Sequence, residues 1–116
     1  MKNSKEYQPG EYDSLIRNKE PKSINAQGLM PVTHTATPAE YFFKLREAQL
    51  EVIDAIFKSK SVSEMKEHIV DELELLRATA ELGRLDMREI ESAREDTESL
   101  KGSYSKGLIL DRVDKP

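Results

Sequence analysis

The chain has no cysteine, no tryptophan, few other aromatic side chains and no long apolar run. Without cysteine there can be no disulfide framework, thiolate nucleophile or zinc–thiolate site. No apolar stretch approaches the length of a membrane span, and residues 1–10 are polar rather than signal-like. We therefore expect a cytoplasmic protein with no membrane partner.

Basic residues are not in excess either, since the formal net charge is -4. Without a positive field, non-specific contact with a nucleic-acid backbone is not expected, so we predict no nucleic-acid partner. The length of 116 residues corresponds to one domain. Charged residues make up 34% of the chain, a balance that favours amphipathic helices over a sandwich or barrel and predicts an all-α fold.

The chain divides into a leader and one helical domain. We predict that residues 1–11, which contain Pro9-Gly10, form a flexible leader and that residues 12–116 form a single domain. Residues 12–21 are predicted to be an ordered arm on the helices, and residues 21–36 a loop or a brief extended segment. Near the other end, residues 108–110 (Leu-Ile-Leu) predict a short strand or an extended docking segment.

Three helix starts follow the arm. Thr37 and Ser61 are each followed three residues later by glutamate, which is the capping-box pattern. A third, shorter helix is predicted to open at Asp86, and Gly83 is placed to end the second helix. The first two helices are expected to fold back on each other as an antiparallel hairpin.

Apolar residues cover most of the circumference of the first predicted helix, in two neighbouring stripes. The first stripe contains Phe42, Leu45, Val52 and Ile56, and the second contains Phe43, Leu50 and Phe57. One partner helix can cover only one such stripe. We therefore predict a homodimer or tetramer, in which homo-oligomerisation completes a helical bundle.

Acidic residues follow another line of the same helix. Glu47, Glu51 and Asp54 stand at i, i+4 and i+7, and on the second helix His68 and Asp71 are one turn apart. Carboxylates from two neighbouring helices can hold Mg2+, which can in turn hold phosphate oxygens. The alternative is a solvated face, because lysines at i, i+4 spacing share this line.

Four segments resemble a known family when they are taken together in chain order. They are Leu15 to Pro21, the pattern Lys44-Leu45-x-Glu47-x-x-x-Glu51, Glu67 to Ala78, and Lys101-Gly102-Ser103-Tyr104. They are similar to the MazG-like nucleotide pyrophosphohydrolases, and more narrowly to the small branch related to phosphoribosyl-ATP pyrophosphohydrolase. The resemblance implies an all-α, oligomeric, Mg2+-dependent enzyme that splits nucleoside triphosphates or phosphoribosyl-ATP into a monophosphate and pyrophosphate.

Residue by residue, the resemblance implies a site with substitutions. Glu47, Glu51 and Asp71 correspond to catalytic, metal-binding carboxylates, whereas Ala48 and His68 stand where the family has two further glutamates. His68 as a fourth ligand would favour Mn2+ or another transition metal over Mg2+. The residues that would receive the nucleotide polyphosphate are Arg17, Lys19 and Lys101.

Two functional hypotheses follow. In the first, the chain is a metal-dependent nucleotide pyrophosphohydrolase with a thinned metal site, in which water attacks phosphorus while the cation stabilises the developing charge. In the second, the chain keeps the fold without catalysis and acts as a nucleotide-binding or protein-interaction module. The two substituted carboxylates favour the second hypothesis, and the three retained carboxylates favour the first.

Overall fold

A computed structural model describes residues 5–116, and four helices account for its regular structure. They are α1 (Glu20–Ala26), α2 (Pro38–Phe57), α3 (Val62–Leu82) and α4 (Met87–Lys101). Residues 1–4 of the predicted leader lie outside the described residues. No strand occurs between residues 5 and 116, so the all-α prediction is confirmed.

The three longer helices begin where the sequence predicts. The Thr37 and Ser61 hydroxyls accept hydrogen bonds from the backbone N–H groups three residues later, at 3.2 and 3.1 Å. Asp86 Oδ1 accepts one from Arg88 N at 2.8 Å. Each side chain satisfies a backbone donor that would otherwise lack a partner in the first helical turn.

Helix α1 contradicts the loop prediction for its part of residues 21–36. Pro21 lies in its first turn, where a missing N–H costs nothing, and no side chain caps it. After the helix, Gly28 adopts a φ of +78°, and Leu29 N donates to Ile24 O at 3.2 Å. Seven residues make too few turns for a helical period to show in the sequence.

The described part of the predicted leader contacts α1. Tyr7 is buried, its backbone N–H donates to Gln27 Oε1 at 2.9 Å, and its hydroxyl donates to Glu20. Gln27 Nε2 in turn donates to Lys5 O at 2.8 Å. Burial and the bond to Glu20 raise the pKa of Tyr7 to about 12. Residues 5–7 are therefore attached to the helical part of the chain.

Helices α2 and α3 pack against each other along their length as the predicted antiparallel hairpin. Leu45 of α2 is 1% exposed, and Ala80 of α3 is also buried. Gln49 Nε2 donates to Thr79 Oγ1 at 2.8 Å across the two helices, and the same hydroxyl donates to Leu75 O. The hairpin carries the candidate site, because the predicted acidic residues lie on its two helices.

One face of the hairpin has no cover in the described chain. Helical spacing places its exposed apolar residues in one stripe on each helix, on the side of the Gln49–Thr79 hydrogen bond. We call this surface the apolar face; it contains Phe42, Leu50, Ile53 and Phe57 of α2 and Met65, Ile69, Leu73 and Leu76 of α3.

Helix α4 and the residues after it stand apart from the hairpin. Every residue from Arg88 to Pro116 is exposed, and the segment predicted as a strand or docking segment, residues 108–110, is not a strand. The described chain is 69 Å long with a radius of gyration of 18.8 Å, whereas a compact chain of this length would have about 13 Å. No helix within residues 5–116 has the length and apolar content needed to cross a membrane.

Candidate functional site

The arm and α3 meet at an arginine–carboxylate pair. Arg17 Nη2 donates to Asp71 Oδ1 at 2.6 Å, and both side chains are about half exposed. The backbone N–H of Arg17 donates to Glu20 Oε2 at 2.8 Å, so the first turn of α1 fixes the position of this residue. Two residues that the sequence predicts for the site, one in the arm and one on the second long helix, are thus in contact.

A second connection joins the arm to α2 through Lys44. Its Nζ contacts Asp13 Oδ2 at 2.9 Å and Glu47 Oε1 at 3.0 Å, and it donates to Asp13 O at 2.9 Å. The pKa of Lys44 is raised above its ordinary value, mainly by the hydrogen bond to Asp13 and secondly by the one to Glu47. Glu47 therefore has an ammonium partner on its own helix.

The remaining predicted metal ligands are dispersed. His68 Nε2 lies 3.8 Å from Glu64 Oε1, one turn earlier on α3, and Glu51 is exposed on α2. Asp54, the last member of the acidic line, pairs with Lys58 at 2.8 Å. That pair is the i, i+4 contact expected of a solvated helix face.

These side chains do not make a donor set that fits Mg2+. Mg2+ requires near-octahedral oxygen ligation, but Glu47 and Asp71 each contact a cation and His68 offers nitrogen. Within residues 5–116, no three His, Asp or Glu side chains come together at metal-binding distances.

The predicted phosphate-binding residues are not all together. Lys19 immediately precedes α1 and lies two residues from Arg17, with its side chain exposed. Lys101 is the last residue of α4 and belongs to the exposed part of the chain. Arg17 therefore lies at the hairpin with Lys19 two residues away in the sequence. Lys101 lies on an element that does not pack against the hairpin.

A cleft of about 690 Å3 lies between the arm, residues 29–36 and the start of α2. Its lining includes Tyr12, Leu15, Pro31 and Tyr41, and no pattern in the sequence predicts this cleft. At its edge, His34 Nε2 lies 3.0 Å from the Glu40 carboxylate. The sequence alone assigns His34 no role, because its partner Glu40 lies in the first turn of α2 and no motif connects the two residues.

Glu72 is an acidic residue whose position the sequence does not single out. Its Oε1 is buried and has no hydrogen-bond partner within the described residues. Burial raises the pKa of this carboxyl above its ordinary value. The adjacent residue, Asp71, is ion-paired, so neighbouring carboxylates on α3 have opposite environments.

Comparisons with known proteins do not extend the resemblance found in the motifs. No family model matches the sequence. No curated protein and no solved structure matches the chain.

Proposed function

We propose that this chain is a non-catalytic, nucleotide-binding module on a MazG-like scaffold. The supporting observation is the position of Arg17, whose guanidinium is held by Asp71 at 2.6 Å and whose backbone is held by Glu20 at 2.8 Å. Nη2 makes the contact with Asp71, and the guanidinium has further N–H donors that can bind a phosphate oxygen. Fixing the arginine in advance reduces the entropy cost of binding, and Lys19 adds a second cation nearby.

The same contacts argue against the metal chemistry of the family. Asp71 and Glu47 contact Arg17 and Lys44, so a metal ion would have to displace two cations to reach both carboxylates. Ala48 provides no ligand at all. Binding without hydrolysis is the function that fits these residues best.

Calorimetric titration with a panel of nucleoside triphosphates tests the binding proposal. Arg17→Gln should lower the affinity on the order of tenfold, because a charge-assisted hydrogen bond contributes about 1.5–3 kcal/mol. Lys22→Gln is the matched control, since Lys22 is an exposed basic residue on α1. If the wild type binds none of the nucleotides, or both variants lose affinity equally, the proposal is wrong.

A second candidate function is metal-dependent pyrophosphohydrolysis, which the retention of Glu47, Glu51 and Asp71 favours. Release of pyrophosphate from the same panel, measured with Mg2+ and Mn2+ in turn, tests it. Asp71→Asn should abolish any true activity, whereas Glu67→Gln, an exposed acidic control on α3, should not. Activity with this pattern would replace the binding-only proposal.

We also propose that the protein is a homodimer in which a second copy covers the apolar face. Eight large apolar side chains of this face are exposed in the single chain. Burying them against a second copy would contribute several kcal/mol to association, at about 25 cal/mol per Å2 of apolar surface removed from water. Ile53→Lys should dissociate the dimer in sedimentation experiments, while Glu51→Lys puts the same side chain on the opposite side of α2 and should not. A wild-type monomer mass at micromolar concentration would contradict the proposal.

A further inference from the structure

Two irregular segments outside the helices make no backbone–backbone hydrogen bonds. One is residues 30–36, between α1 and α2, and the other is residues 108–113, after α4. Within the described chain, no N–H or C=O group in either segment makes a backbone–backbone hydrogen bond. Such a row of donors and acceptors is what the edge of a strand presents to another strand.

Both segments also expose apolar side chains. Val32 is 93% exposed, and Leu108, Ile109 and Leu110 are 80–85% exposed. Met30 and Val32 are two residues apart, as are Leu108 and Leu110. Side chains two residues apart lie on one face of a strand, so each segment has a face that a paired strand could bury.

The two segments are not paired within one chain, and the position of α4 explains why. Leu85 N donates to Ala80 O at 2.8 Å, and Asp86 caps α4, so the α3–α4 connection is a short, hydrogen-bonded turn. Helix α4 then continues for 15 residues, or about 22 Å. Residues 108–113 follow the far end of α4, and every residue from Arg88 to Pro116 is exposed, so residues 108–113 pack against no other part of the described chain.

We propose that residues 108–110 of one copy pair as a β-strand with residues 30–34 of a second copy, and that the second copy returns the same contact. A reciprocal exchange of this kind follows from two-fold symmetry. The proposal rests on the homodimer proposed above.

The charges of the two partners are complementary. Residues 101–116 contain four basic and two acidic side chains, whereas helices α2 and α3 together contain ten acidic and four basic side chains. Three residues separate residues 30–34 from the start of α2, so an incoming C-terminal segment brings its basic side chains near an acidic hairpin. Complementary charge favours association and disfavours the alternative of two C-terminal segments pairing with each other.

Proline fixes which edge of residues 30–34 is used. Pro31 has no N–H, so the edge that it shares with Thr33 cannot form a complete ladder. Met30, Val32 and His34 present their N–H and C=O groups to the other edge. We infer that this edge receives the second copy, and that the amides of Val32 and His34 are hydrogen-bonded in the dimer.

Introduced cysteines test the exchange directly, because the chain has none of its own. A full-length Val32→Cys variant is mixed with full-length variants that carry one cysteine at position 108, 109 or 110. The expected result is a disulfide between the two different chains, strongest at alternating positions. Val62→Cys is the control, since Val62 is 86% exposed but lies on α3, and its yield should be several-fold lower.

A double variant distinguishes the two possible sources of the strand. Val32→Cys combined with the best position among 108–110 should give covalent dimers, whereas covalent monomers would mean that the chain pairs with itself and would overturn the exchange. A dimeric wild type with no cross-link above the Val62→Cys control would overturn the exchange while leaving the homodimer standing. A monomeric wild type would overturn both.

Hydrogen exchange provides a readout that needs no new cysteine. In the wild-type dimer, the amides of Val32 and His34 should exchange more slowly than that of Thr33. Ile109→Pro should remove this protection, with Ile109→Thr as the matched control that keeps the N–H. Equal exchange at all three amides in the wild type would contradict the pairing.

Discussion

Helices α3 and α4 begin with the same kind of side-chain cap but have different surroundings. Helix α3 packs along α2 and contains the buried Ala80, whereas α4 has no buried residue. What holds α4 is local: Arg94 Nη2 contacts Glu91 at 2.6 Å and Arg94 Nη1 contacts Glu98 at 2.8 Å. Side-chain caps and ion pairs between neighbouring residues stabilise a helix locally, but burial of apolar surface is what packs it against another helix.

The largest effect on stability is expected in the packed α2–α3 hairpin. Leu45→Ala should lower the free energy of unfolding by about 2–5 kcal/mol, because it removes a fully buried leucine and leaves a cavity in the hairpin. Leu100→Ala on α4 is the matched control; Leu100 is 86% exposed, so little change is expected. Urea titration followed by circular dichroism, at one protein concentration, compares the two, and equal losses would refute the contrast.

Capping residues test the same contrast with one kind of change in two places. Ser61→Ala and Asp86→Ala each remove a cap that contributes about 1 kcal/mol to its own helix. Because α3 is packed and α4 is not, we expect Ser61→Ala to lower global stability and Asp86→Ala to increase amide exchange in α4 alone. A comparable loss of global stability from Asp86→Ala would show that α4 is coupled to the hairpin.

Glu72→Gln probes the unsatisfied carboxyl of the hairpin. The raised pKa of Glu72 means that the folded state retains this proton to a higher pH than the unfolded state does. The free energy of unfolding should therefore fall as pH rises through the folded-state pKa of Glu72, and this loss of stability should remain at pH 7. The variant should be more stable than the wild type at pH 7, by on the order of 1 kcal/mol.

The extra stability of Glu72→Gln should disappear below the ordinary glutamate pKa of about 4.3, where both the folded and the unfolded wild type hold the proton. Glu74→Gln, an exposed neighbour on α3, serves as the control. Parallel stability curves for Glu72→Gln and the wild type between pH 4 and pH 7 would contradict the assignment.

The smallest effect is expected at the local ion pairs of α4. Arg94→Gln removes both contacts of the guanidinium, so the helicity of α4 should fall slightly, and the difference from the wild type should vanish in high salt. The contact with Arg94 lowers the pKa of Glu91 below its ordinary value. In the variant, this pKa should rise, which a carboxyl titration by NMR would detect.

The sequence predicts the helices well because their signals are local. Thr37, Ser61 and Asp86 mark starts that depend on neighbours within three residues, and the structure confirms them. Helix α1 is absent from the prediction because it has no side-chain cap and too few turns to show a period. Its position depends on Tyr7 and Gln27, which meet across a sequence separation of 20 residues.

The candidate site is less predictable because its contacts are distant in sequence. Helical spacing puts Asp71 on the same line of α3 as Leu75 and Leu82, and the structure pairs its side chain with Arg17. No pattern in either segment identifies that partner, since the two residues are 54 positions apart. Nor does the spacing of Glu47 predict that Lys44 also contacts Asp13, which anchors the arm at α2.

The contact between Arg17 and Asp71 also has a consequence for how the chain folds. The α2–α3 hairpin joins consecutive helices through a short turn, whereas the arm must close a loop of 54 positions to reach α3. Contacts of short sequence separation form first because they lose less loop-closure entropy. We expect the hairpin to form early and the arm to dock last, with Tyr7 burial following helix formation in stopped-flow refolding.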